Sequence, residues 1–196
     1  MVRLWWRFRP RCCWRLPVRL ETDAWRQLMA SVASSTFRLE TLAVYDMPGE
    51  RDEFARHVAG EKPPPGLHYR WLDTVAEGVR AGKSFQRVHV VTSPLSDYLT
   101  YEFEWGYFFN VKAGEDIRIL DLAHQTDPGV PTQDFWLLDE ARVVRMDYDE
   151  HGVQLGRELL KDVDPAPYVA WKNLALEHAE PFEHYYAEWE RAKLEG

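Results

Sequence analysis

Hydrogen-bonding and charged side chains gather in one stretch of this chain, FQRVHVVTSPLSDYLTYEFEWGYFFNVKAGEDIRILD (residues 85–121), which carries Asp97, Tyr98, Glu102, Asn110, Glu115 and Asp116. Upstream, Arg38 and Glu40 flank Leu39, a spacing that puts both on one face of a strand. Acids outnumber bases in this set, so the group it would recognise is cationic or a hydrogen-bond donor, such as an arginine-bearing surface. Open α/β sheets offer a crevice at the carboxyl ends of their strands, and Asp97 and Tyr98 follow one such end. A plainer reading competes. Asp97 then caps a helix, Asn110 makes a turn, Glu115 and Asp116 are solvated, and Arg38 and Glu40 pair with charges on their own face.

The familiar catalytic signatures are missing. The chain has no glycine-rich phosphate loop, no G-x-G-x-x-G, no G-x-S-x-G, no H-E-x-x-H and no paired C-x-x-C. Its seven histidines are scattered, and His178 and His184 are too loosely related across Pro181 to hold a metal. No catalytic residue, metal or cofactor is therefore expected. His89 alone invites a comparison, since Asp97 follows it by eight residues in HVVTSPLSD. A phospholipase-D-like phosphodiesterase places a lysine two residues after its histidine nucleophile and, after four intervening residues, an aspartate. Here Val91 holds the lysine position and the aspartate comes one residue late. Nothing at that point would offset phosphate charge, so His89 reads as a residue filling a strand face.

These residues need a frame to hold them. Val88, Val90 and Val91 form a short apolar run, Ser93-Pro94 reads as a helix N-cap with proline following, and Ile117 to Leu120 is a second apolar strand. A strand, a crossover helix and a strand make a parallel βαβ unit. One ambiguity stands: Leu99, Tyr101, Phe103 and Trp105 alternate as a strand would, against the helical grouping of Tyr98, Leu99, Glu102 and Trp105. The Ser-Pro entry and the need for a crossover favour the helix.

Before this centre, a helix from Thr22 or Asp23 through Ala33, a strand within FRLETLAVY, and helices over 50–59 and 69–81 are predicted, the last two closed by Gly60 and Gly82. After it, Phe135–Leu138, Val143–Met146 and Val153–Leu160 read as an antiparallel meander with acidic turns. Pro165 opens a helix, and Pro181 separates it from a last amphipathic helix over 181–196.

The chain of 196 residues suits one core rather than two. Its net charge of −8 hides an asymmetry: residues 1–20 hold six arginines and no acid, leaving 18 basic against 32 acidic residues elsewhere. An acidic body argues against direct nucleic-acid binding. The basic segment reads as a disordered extension preceding an α/β domain over 21–180. No stretch reaches the length of a membrane span. Cys12 and Cys13 are adjacent and have no spaced partner, which points to a reducing cytoplasm.

Four stretches, TFRLETLAVYD (36–46), RVHVVTSPLSDYLTYEFEWGY (87–107), NVKAGEDIRILD (110–121) and DFWLLDEARVVRMDYDEHGVQLG (134–156), together resemble an actinobacterial domain of unknown function, number 6879. The resemblance runs from about Trp25 to Ala179, and the end beyond Pro181 departs from it. No activity attaches to that family, so the resemblance implies no catalytic residue. The resemblance implies a regulatory role, since members of that family are often encoded beside helix-turn-helix regulators and their small partner proteins. The order of strand, helix, strand and hairpin also resembles one half of a phospholipase-D-like fold lacking its catalytic motif. The expectation is a single α/β domain with a mixed sheet: a parallel βαβ centre, a C-terminal meander and flanking helices. Its expected function is non-catalytic binding of a protein partner, such as a helix-turn-helix regulator, or of a small ligand. The alternative is an enzyme or toxin-like effector acting on phosphodiesters or nucleotides.

Overall fold

The computed structural model describes residues 17–195, and most of the N-terminal segment set apart above lies outside the described residues. In chain order the elements are β1 (Val18–Arg19), α1 (Thr22–Ala30), β2 (Ser35–Glu40), α2 (Arg51–Val58), α3 (Arg70–Arg80) and β3 (Ser84–Val91). Then come α4 (Asp97–Tyr101), a π-helical segment (Glu102–Tyr107), α5 (Phe108–Ala113), β4 (Asp116–Asp121), β5 (Phe135–Leu138) and β6 (Arg142–Tyr148). The chain closes with β7 (Gln154–Leu160), α6 (Ala166–His178), β8 (Glu180–Pro181) and α7 (Phe182–Glu195).

All eight strands form one mixed sheet in the order β1-β7-β6-β5-β2-β3-β4-β8. The expected βαβ unit is its centre: β2, β3 and β4 run parallel, with Arg38 opposite Arg87 and Glu40 opposite His89. The β5–β6–β7 meander is antiparallel and joins β2 through β5. Asp139 and Glu140, both at positive φ, turn β5 into β6.

Strand alternation gives this sheet two unlike faces. One is apolar: Phe37, Leu39, Val88, Leu120, Phe135 and Leu137 meet α6 through Ala175 and its aromatic neighbours. The opposite face of the centre carries Arg38, Glu40, Arg87 and His89, buried under the α4–π–α5 rod and α3. At Gly78 of α3 an added Cβ would stand 2.4 Å from the Phe85 ring, so only glycine lets the helix come this close to β3.

Several boundaries differ from expectation, each for a local reason. The helix after Ser93-Pro94 begins at Asp97, capped by Ser96, whose hydroxyl accepts from Leu99 N–H at 3.0 Å; Ser93-Pro94 itself is a cis bond outside the helix. Helix α1 stops at Ala30 because the N–H groups of Ala33, Ser34 and Ser35 turn to the Asp139 carboxylate at 3.0, 2.7 and 3.2 Å. Strand β2 ends at Glu40, since Thr41 N–H is taken by Asp134 at 2.9 Å. Val18–Arg19, assigned by sequence to the extension, pair with β7, and Leu20 is buried beside Trp136 and Leu138. The last helix is likewise integral: Phe182, Tyr185 and Tyr186 of α7 pack with Leu99, Phe103 and Ile119.

The helix–strand ambiguity also resolves. The rod is helical but buried along two lines. Tyr101 and Trp105 face one aromatic cluster, while Leu99, Phe103 and Tyr107 face another. Two lines at four-residue spacing, offset by two, produce strict alternation without a strand.

Candidate functional site

On the charged face, β2 and β3 set Glu40 between two guanidinium groups. Arg38 reaches one Glu40 oxygen at 2.6 Å and Arg87 the other at 2.7 Å. Arg87 also donates to Glu115 at 3.0 Å, and Glu115 accepts from Trp71 Nε1 at 2.8 Å. The four charges alternate along a buried chain and compensate one another. Burial pushes the Glu40 carboxyl up, yet Arg38 and Arg87 overcome this and hold it down at about 2. Glu115, offered by sequence as a solvated or partner-binding acid, is a buried member of this chain at 3 % exposure.

Beside it lies a second group. The Tyr107 hydroxyl is 2.6 Å from His89 Nδ1, 2.9 Å from Glu40 Oε2 and 3.3 Å from Glu102 Oε2. His89 Nε2 faces the Leu42 carbonyl at 2.9 Å, which only an N–H can satisfy. One hydroxyl proton serves one acceptor at a time, so the group must hold a further proton. Burial decides where it sits: it lowers the His89 pKa, and with Glu40 nearby it raises that of Glu102 well above the carboxylate range. Both shifts favour the uncharged forms, a carboxylic acid at Glu102 and a neutral imidazole at His89. The π-helical segment makes this contact possible, since i→i+5 bonding stacks Glu102 and Tyr107, five residues apart, on one side.

Above both groups a cavity of about 510 Å3 opens between the sheet and the helices, walled by four tryptophans and five tyrosines. Four glutamates and two arginines also line it, and both arginines are already committed. Three of the glutamates meet tyrosine hydroxyls instead: Tyr98 donates to Glu50 at 2.8 Å, Tyr101 to Glu53 at 3.2 Å, and Tyr107 contacts Glu102. Burial raises the Glu50 pKa as well.

Of the sequence candidates, Arg38, Glu40, Tyr98, Glu102 and Asn110 line this cavity, and Glu115 anchors its floor through Arg87. Asn110 is buried and accepts from Tyr69 at 2.6 Å, so it is a packed polar contact rather than a turn residue. Two candidates fall elsewhere. Asp97 is exposed on the outer side of α4, in a groove with His57 and Lys62. Asp116 pairs with Arg118 at 3.1 Å, whose side chain reaches the Leu176 carbonyl of α6 beyond the other face. The crevice expected at the strands' carboxyl ends exists as a hollow of about 280 Å3 beside Leu42, Val91 and Thr92, but none of the candidates lines it. Sequence reasoning passed over Arg87, Tyr107, Glu50 and the tryptophans. The register signal for Arg87 was present, since it precedes His89 by two residues as Arg38 precedes Glu40.

His184 sits between Glu180 at 2.6 Å and Glu188 at 3.4 Å on the surface of α7, and His178 is no part of that group. Among the described residues, no helix is long and apolar enough to cross a membrane.

No curated protein matches this chain. Among solved structures, a phospholipase D family member, Nuc from Salmonella typhimurium, is similar at a TM-score of 0.40 and 8 % identity, over 81 % of this chain and 90 % of that one. A family described as a domain of unknown function has a model that matches residues 23–187, running past Pro181 into α7 where the resemblance was expected to weaken. The chain therefore belongs to the DUF6879 family.

Proposed function

We propose that this chain is a non-catalytic binding module whose ligand occupies the cavity over the charged face. Its regulatory output, exerted in the cytoplasm, is engagement of a protein partner such as a helix-turn-helix regulator. The observation that carries the reading is the cavity: about 510 Å3, walled by aromatic rings over a self-compensated ion-pair floor. That volume and lining are typical of small-molecule sites, where apolar walls supply affinity and a few polar groups set orientation. The enzyme alternative is poorly supported by the one histidine in position for it. His89 is fully buried, both its nitrogens are engaged, and Val91 is packed among apolar side chains where a phosphate-binding lysine would be needed.

The test uses the cavity wall itself. Gly106 lines the cavity and an added Cβ meets nothing within 4 Å, so Gly106→Leu projects a side chain inward. Fragments of positive, neutral and negative charge are screened by ligand-observed NMR against the wild type and this variant. Binding to the wild type that is lost in a folded Gly106→Leu supports the reading. The absence of any cavity binder, or hydrolysis of a chromogenic phosphodiester that His89→Ala abolishes, overturns it.

A further inference from the structure

Granting that the cavity is a ligand site, its chemistry selects a class of ligand. We propose that it binds an organic cation, a protonated amine or a guanidinium on an apolar body, with the charge set against Glu50 and Glu102 and the body against the aromatic walls.

Three observations converge on this. The lining carries four glutamates against two arginines, and the arginines are spent on Glu40 and Glu115. Among the described residues, Glu50 and Glu53 make no salt bridge, and the nearest basic group to Glu102 is the neutral imidazole of His89 at 3.5 Å. An arriving anion would have to displace Glu40 from Arg38 or Arg87 and face the remaining carboxylates. A cation meets acceptors that no charge compensates.

The walls are equally suited to such a group. Tryptophan and tyrosine faces attract cations most strongly where water is excluded. The protein already uses the arrangement, with the Arg38 guanidinium 5.3 Å from the Trp136 ring and that of Arg87 5.3 Å from Tyr107. Trp105, 2 % exposed and part of the lining, has an indole N–H with no partner, a donor for an acceptor on the ligand body.

Occupancy by a cation would also draw the proton from Glu102. The groups facing it are Arg38 and Glu40 of β2, Arg87 and His89 of β3, Tyr107 of its own segment, Tyr98 and Tyr101 of α4, Tyr69 before α3, and Glu50 preceding α2. With Arg38 and Arg87 committed, removing the proton leaves a carboxylate for the ligand charge to compensate, so affinity rises with pH.

The experiment is isothermal titration of the full chain with benzamidine, benzamide and benzoate, three compounds of one shape and different charge. Benzamidine is expected to bind roughly tenfold or more tightly than benzamide, and benzoate more weakly than either. Its affinity should rise from pH 6 to pH 8, and Glu102→Gln should remove both the preference and the rise. Glu50→Gln serves as a second variant should the first fail to fold, with a smaller loss of preference expected. Equal binding of benzamidine and benzamide, or preferential binding of benzoate, overturns the cation assignment while leaving the cavity a ligand site. Failure of every charge class in the fragment screen overturns the site itself.

Discussion

Replacing Glu40 by glutamine should destabilise the domain more than any other conservative change on the charged face. The side chain is 1 % exposed and accepts from Arg38 and Arg87 at 2.6 and 2.7 Å, with the Tyr107 hydroxyl 2.9 Å away. Glutamine keeps the shape and removes the charge. Arg87 retains Glu115, but Arg38 is left without an anionic partner, beside the Tyr148 hydroxyl at 3.4 Å and the Tyr45 and Trp136 rings. Breaking a buried pair from one side typically costs about 3–5 kcal/mol, because the surviving charge is left uncompensated. The acidity of Glu40 gives a second route to the magnitude. A drop from 4.5 to about 2, at about 1.4 kcal/mol per pH unit, is about 3 kcal/mol. For a domain of this size that is a fall in Tm of roughly 6–12 °C.

The sign of the pH dependence follows from the same values. A carboxylate held below its unfolded pKa adds stability that is complete above the unfolded value and is lost as pH falls toward the folded one. Between pH 7 and pH 3.5 the gap between wild type and Glu40→Gln should therefore narrow by about 1 kcal/mol. Urea unfolding followed by tryptophan fluorescence at both pH values measures it. A gap below about 1 kcal/mol at pH 7, or one that widens on acidification, would refute the claim that Glu40 is ionised and held by both arginines.

Glu102 should behave in the opposite way. Its raised pKa means that folding grows less favourable as pH climbs above the unfolded carboxyl value, so Glu102→Gln should match the wild type near pH 5 and melt higher at pH 8. A variant that melts lower at pH 8 would show that the ionised carboxylate is a stabilising member of the network. Asp139→Ala should lower Tm by roughly 4–8 °C, corresponding to about 2 kcal/mol. Burial opposes the ionised Asp139 carboxyl, but N–H groups of Ser34, Ala33 and Ser35 hold it far below its usual range, and the residue also sits at φ 54°. Thermal melts by circular dichroism decide it, and an unchanged Tm would mean that this carboxylate does not tie α1 to the β5–β6 turn.

Much of the architecture is legible in the residues because it depends on local pattern. Apolar runs at 88–91 and 117–120 mark the parallel strands, and glycines at 60 and 82 end their helices. The acidic turns at 139–140 and 149–152 separate the strands of the meander. Half of the site was within reach too, since Arg38 and Glu40 share a face in any strand register.

What the chain could not disclose locally is the fate of its polar side chains. Glu115 and Asp116 are neighbours with the same carboxylate, yet one is buried against Arg87 and Trp71 and the other lies on the opposite face beside Arg118. Strand alternation separates them, and only the packing of α3 over one face decides which is buried. The same holds for Glu102 and Glu40. Both are glutamates within a few ångströms of Tyr107, and they differ in acidity because two guanidinium groups reach one and none reaches the other. A charge takes its meaning from partners distant in the chain: Arg87 meets Glu40, 47 residues before it, and Glu115, which in turn accepts from Trp71, 44 residues before it. Composition and spacing determine the strands that carry such groups. Tertiary contact determines which of them are neutralised and which remain available to a ligand.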